Sequence, residues 1–108
     1  MEIKHYVTQD GFDVYQEWFD SLRDAKTKTV IERRVDRIVQ GNLGTVRATR
    51  KGVWEIKIDF GPGYRVYYAQ TGQTIVLLLC GGDKSTQDAD IDRAIGYWED
   101  YQQRVRRL

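Results

Sequence analysis

The stretch from Gly52 to Tyr68, GVWEIKIDFGPGYRVYY, alternates apolar and polar residues on both sides of a Gly-Pro-Gly centre. Trp54, Ile56, Ile58 and Phe60 share one parity, and Tyr64, Val66 and Tyr68 continue it. A period of two marks strands, and a glycine–proline turn between two such runs makes a β-hairpin. A loop at Gly61-Pro62-Gly63 sets Phe60 opposite Tyr64, Ile58 opposite Val66 and Ile56 opposite Tyr68. The other face then pairs Asp59 with Arg65, Lys57 with Tyr67 and Glu55 with Ala69. Helices are expected on the apolar face, which leaves the charged one open to solvent. The bland reading of that open face is an Asp59–Arg65 ion pair with Lys57 over the Tyr67 ring.

The rest of the chain is organised around this hairpin. Ile3 to Val7 reads as a short first strand. Phe12, Tyr15, Trp18, Phe19 and Leu22 fall on one helical face, with Thr8 or Asp10 as cap and Asp13 in the first turn. A second helix starts at Asp24, carries Ala25, Ile31, Val35, Ile38 and Val39, and ends at Gly41-Asn42. GNLGTVRATRKG reads as loop. TIVLLLC is continuously apolar and fits an internal strand covered on both faces. GGDKSTQDAD breaks it, with Ser85 and Asp88 resembling a capping box. Ile91, Ala94, Ile95, Trp98, Tyr101, Val105 and Leu108 then keep helical spacing. The order is β-α-α-β-β-β-α. It implies the α+β class: an antiparallel-rich, curved sheet with an N-terminal helix pair and a C-terminal helix. The first strand is expected beside the last, and residues 1–108 as one domain.

Composition narrows the function classes. The chain is 41% hydrophobic and 31% charged, with a net charge of +1, one cysteine and one histidine. No internal disulfide is possible, a structural zinc site is disfavoured, and Cys80 reads as a buried, inert thiol. No run approaches the roughly 18 apolar residues of a membrane helix, and MEIKHYV lacks a signal-peptide pattern. The expected setting is soluble and cytoplasmic, without membrane partners. His5 is expected to be structural. The cations are unevenly spread: Arg47, Arg50, Lys51, Lys57 and Arg65 lie close in sequence, against only Glu55 and Asp59.

The hairpin, followed by IVLLLCGGDKSTQDADIDRA, resembles the addiction-module killer proteins of the RelE/ParE superfamily, near the HigB type. The likeness is most specific from Trp54 to Ala94, where GPGYR and LLLCGGDKS occur together. It implies a toxin with a small helix-turn-helix antitoxin, reaching operator DNA only through that complex. For RelE-like members it also implies metal-independent, cofactor-free cleavage of mRNA on the ribosome, by attack of the 2′-hydroxyl on the adjacent phosphate. Lys57 matches a strand lysine of the RelE pattern, Arg65 its Gly-Tyr-Arg arginine, and Lys84 approximately a further arginine. Glu55 stands where that pattern has another lysine, and is either the base or a plain surface carboxylate. No tyrosine stands near the start of the last helix, Tyr97 being too far along. Arg47, Arg50 and Lys51 are expected to bind RNA phosphates, and Tyr67 either to stack on a base or to pack. ParE-like members, which share the fold, imply the alternative of a non-enzymatic toxin binding a protein such as gyrase. A degraded homologue that only binds antitoxin is the third reading.

Overall fold

A computed structural model describes residues 1–42 and 44–108. Leu43, within the stretch expected as loop, lies outside them. The elements are β1 (Glu2–His5), α1 (Val14–Ser21), α2 (Ala25–Val39), β2 (Val46–Ala48), β3 (Trp54–Ile58), β4 (Tyr64–Thr71), β5 (Ile75–Asp83), a 3-10 turn (Lys84–Thr86) and α3 (Gln87–Arg106). The α+β class is as the periodicity implied. The sheet has five strands in the order β1-β5-β4-β3-β2. β1 does lie beside β5, and runs parallel to it; the other neighbours are antiparallel.

The added strand is β2, in the stretch expected as loop. Three residues are too few to show alternation, and it pairs Val46 with Ile56, Arg47 with Glu55 and Ala48 with Trp54. Helix ends differ in detail. Asp13, not Thr8 or Asp10, caps α1, accepting from Gln16 N at 3.0 Å. Asp24 caps α2 as expected. Gly41 follows α2 with φ of +86°, and the Gly41 and Asn42 amides return to Ile38 and Arg37, a Schellman closure. Ser85 and Asp88 form no capping box; Thr86 precedes α3 and its hydroxyl donates to Asp90 at 2.6 Å.

The hairpin keeps its parity but not its pairing. Ile58 faces Tyr64, Lys57 faces Arg65, Ile56 faces Val66 and Glu55 faces Tyr67. The loop is two residues longer than expected, since Asp59 and Phe60 leave the ladder. Lys57 is therefore the direct partner of Arg65, and Asp59 instead lies 3.7 Å from the Lys57 ammonium.

Both faces of the sheet are covered, which overturns the expectation of an open charged face. Ile56, Ile58, Val66, Tyr68, Val76 and Leu78 pack with Tyr15, Ile31 and Ile38 of α1 and α2. Val53, Tyr67, Ala69, Leu77 and Leu79 pack with Ile91 and Ala94 of α3. The hairpin alone conceals this second apolar surface, because Tyr67, Ala69, Leu77 and Leu79 form it across two strands. Between Tyr67 and Tyr68 the β4–β5 register shifts: Tyr68 faces Leu78 while Tyr67 faces Cys80. This bulge leaves Leu79 as the extra residue. β5 runs on through Gly81 and Gly82, past its expected end. Among the described residues no helix is long and apolar enough to cross a membrane.

Candidate functional site

Three strands bring charge to one end of the α3 face. Arg47, Glu55 and Tyr67 lie in one cross-strand row, and Lys57, Arg65 and Gly82 in the next. α3 begins below these rows, so its body covers Tyr67 and Ala69 but leaves a cleft over the charged end. The cleft measures about 250 Å³ and is lined by Thr45, Val46, Arg47, Glu55, Lys57, Arg65 and Gln87.

Glu55 is the hub. It is 3% exposed, which excludes the plain surface carboxylate. Its Oε2 accepts from Arg47 Nη2 at 3.1 Å and from Gln87 Nε2 at 2.7 Å, and its Oε1 lies 3.3 Å from Arg65 Nε. Burial of a carboxylate is tolerable only with such partners. Both hydrogen bonds fall on Oε2, and Oε1 meets Arg65 Nε as an ion pair without a hydrogen bond, an arrangement that suits holding Arg65.

Arg65 is also buried, at 6% exposure. Nη1 donates to the carbonyls of Gly63 at 2.9 Å and Tyr64 at 3.2 Å. The guanidinium is thereby fixed in the plane set by Glu55 and the hairpin turn. Nη2 takes part in none of these contacts. Lys57, opposite, is exposed. Lys84 is exposed too, in the turn after β5. A methyl group added at Gly63 would lie 3.2 Å from Arg65 Nη1 and 3.7 Å from Lys84 Cβ, so the base of the lysine side chain stands near the arginine. Lys57 and Arg65 line the cleft; Lys84 does not.

The expected RNA-binding set divides. Arg47 lines the cleft, with its side chain 61% exposed beyond its bond to Glu55. Arg50 instead bridges to Asp92 of α3 at 2.7 Å, and Lys51 sits in a turn with φ of +52°. Neither lines the cleft. Tyr67 is fully buried and cannot stack on a base. Its hydroxyl finds no partner among the described residues, and burial first, then Glu55 and Asp90, push the phenol well up. A buried hydroxyl without a partner gives nothing back for its desolvation. Tyr67→Phe should therefore leave the melting temperature unchanged or raise it slightly; a loss above about 1 kcal/mol in chemical denaturation would reveal a bond to that oxygen.

Gln87 was not legible in the sequence: one amide at a helix start carries no signal. Arg47 in β2 had a faint one, in the β-branched flanks of Thr45-Val46 and Thr49. The remaining candidates behave as expected. Cys80 is buried, its thiol pushed up to about 12 chiefly by desolvation. His5 Nδ1 lies 2.8 Å from Asp13 Oδ2, away from the cleft.

A family model described as Phage derived protein Gp49-like (DUF891) matches residues 17–95. That span holds every residue of the cleft. A protein of Haemophilus influenzae, described as an uncharacterized protein, is 42% identical over 94 residues, covering 87% of this chain and 89% of that protein.

Proposed function

This chain belongs to the Gp49-like family of phage-derived proteins, a toxin-like family related to the RelE/ParE-type toxin–antitoxin proteins, and from that premise we propose that it is the toxin of a type II toxin–antitoxin module. In this reading it is a HigB/RelE-like, metal-independent endoribonuclease that cleaves mRNA on the ribosome and so inhibits translation. The observation that supports the reading is the direct pairing of Lys57 with Arg65, both lining one cleft, with the base of Lys84 near Gly63 at the same hairpin.

Attack of the 2′-oxygen on the adjacent phosphorus forms a 2′,3′-cyclic phosphate and expels the 5′-oxygen. The phosphorane between them carries more negative charge than the diester. Fixed cations stabilise it selectively, because they need not reorganise as the charge develops. Arg65 and Lys57 hold its oxygens, and Lys84 gives a proton to the leaving 5′-oxygen. Glu55 is a positioning residue that aims Arg65. The 2′-hydroxyl proton passes to water. The ribosome supplies the orientation that so small a site lacks.

The partners in this proposal are the ribosome, its mRNA and a helix-turn-helix antitoxin that brings the toxin to operator DNA. Primer extension on translated and on free mRNA tests it: new 5′ ends should depend on wild-type protein, and be lost on co-expression with the antitoxin. Absence of new ends on either template would overturn the nuclease reading. One observation favours a second reading, a non-enzymatic toxin that binds a protein such as gyrase. Arg65 Nη1 already donates to two backbone carbonyls and Nε lies at ion-pair distance from Glu55, as in a structural arginine. Inhibition of supercoiling by purified gyrase would select it.

Within the first reading Arg47 contributes binding. Arg47→Ala should weaken ribosome pelleting at low salt and lower the slope of log affinity against log salt by about one. Arg50→Ala should leave that slope unchanged, because its guanidinium is held by Asp92. Equal slopes for both variants would remove Arg47 from the interface.

A further inference from the structure

On the opposite face of the sheet, a second cavity of about 230 Å³ opens between β1, α1 and α2. Its lining includes His5, Tyr15, Phe19, Glu32 and Asp36, and no lysine or arginine. Glu32 and Asp36 stand one turn apart on α2. Like charges at that spacing repel, and neither has an ion-pair partner among the described residues. A third carboxylate, Asp13, lies just behind His5, at 2.8 Å from its Nδ1.

Tyr15 is 5% exposed, yet its hydroxyl makes no hydrogen bond within the described residues. Nearly all the ring is buried, edge-on to His5 at 5.1 Å and stacked near Phe19 at 6.2 Å. Burial first, then the charges of Glu32, Asp13 and Asp36, drive the phenol well up. The Tyr15 oxygen is not one of the buried side-chain atoms left without a partner, so it keeps access to the cavity, where an incoming donor can reach it. Glu32 and Asp36, both exposed, line the same cavity.

We propose that this cavity is a binding site for an organic cation, an ammonium or guanidinium group on an alkyl stem. The head group would donate to the Tyr15 oxygen and to the Glu32 and Asp36 carboxylates, and the stem would lie along the aromatic wall. Phe19 already hosts such a contact: the Lys28 ammonium sits 5.7 Å from its ring centre. Negative charge and aromatic lining select the same class of ligand.

The probes are n-butylguanidinium, putrescine and N-acetyl-arginine methylamide, titrated into the 15N-labelled full chain. Saturable shifts at His5, Tyr15 and Phe19 are expected with at least one of them, and none with butyrate. Glu32→Gln with Asp36→Asn should weaken binding about tenfold or more, the loss expected for charge-assisted bonds. Tyr15→Phe should weaken it further while the protein stays folded by thermal melt. Tighter binding of the blocked arginine supports the site and assigns the cation to a partner polypeptide; tighter binding of putrescine supports it and assigns a free diamine. No saturable shift with any cation, or equal affinity in the Glu32→Gln, Asp36→Asn variant, would overturn the proposal. This cavity is separate from the cleft, so a failed nuclease assay leaves the result standing.

Discussion

Arg65→Ala is expected to lower the rate of mRNA cleavage by about 10²-fold or more, the loss seen when one electrostatic donor to a transition state is removed. The effect should fall on turnover, because a phosphorane gains more from the cation than the starting diester does. A pure surface reading would leave the fold untouched. The structure changes that: Arg65 and Glu55 are both buried, and removing one partner leaves the other's charge in a poor environment. Arg47 and Gln87 remain on Glu55, so the stability loss should be about 2–3 kcal/mol, at or below the low end for a broken buried pair. Activity must then be compared per folded molecule. Arg65→Lys retains a positive charge near Glu55 but loses the planar fork, so it should recover much of the stability and little of the rate. Asp59→Ala should change neither, since Asp59 is 80% exposed and lies beside Lys57, not Arg65. Primer extension and thermal melts on the same preparations check the set. A folded Arg65→Ala protein that cleaves like wild type would exclude the residue from the chemistry.

The largest stability effect should come from Gly81→Ala. A methyl group there would lie 2.2 Å from a Trp18 ring carbon, well inside contact distance. Trp18 is flanked by Tyr15 at 5.8 Å and Tyr64 at 6.3 Å from its ring centre, although it is half-buried and shares with Gly81 the lining of a cavity of about 280 Å³ into which it can yield in part. Overpacking of this kind costs about 1–3 kcal/mol, and here the upper end is expected because the clash spans several ring atoms. Trp18→Leu in the same chain should restore part of the loss, and a double-mutant cycle in urea would show the coupling. Gly96 is the control. Nothing lies within 4 Å of a Cβ at that helical position, so Gly96→Ala should stabilise by up to about 1 kcal/mol. If Gly81→Ala melted with wild type, the close approach of α1 to β5 would be wrong.

The hairpin shows how much of this was legible and where legibility stopped. Parity is fixed by side-chain alternation, so the face of Lys57 and Arg65 followed from the sequence. Register is fixed by the loop, and Asp59 and Phe60 could have been strand or turn with equal chemistry. The ladder ends at Ile58, and every cross-strand partner moves by two. That is why the Asp59–Arg65 pair gave way to Lys57 opposite Arg65. Burial was the harder quantity. Glu55, Arg65 and Tyr67 are polar residues at alternate positions, the pattern of a solvated face. They are covered because α3, some 20 residues downstream, returns over them, and because Glu55 finds donors in Arg47 and Gln87. Local pattern records which side a residue faces; it does not record what arrives on that side.

The bulge at Leu79 has a consequence for how the chain tolerates a change of length. Before it, odd-numbered residues of β5 face α3; after it, even-numbered ones do, so Cys80 and Gly82 share the side of Leu77. The strand therefore carries two phases joined at one residue. Losing Leu79 would restore strict alternation and keep Leu78 with Tyr68 and Cys80 with Tyr67. Residues 77–79 are all leucine, so losing any one of them gives this same chain, with Gly81 and Gly82 still facing Trp18 and Asp90, which leave no space for side chains. The spacing between the apolar half of the strand and the lysine at its end is thus adjustable within that leucine run.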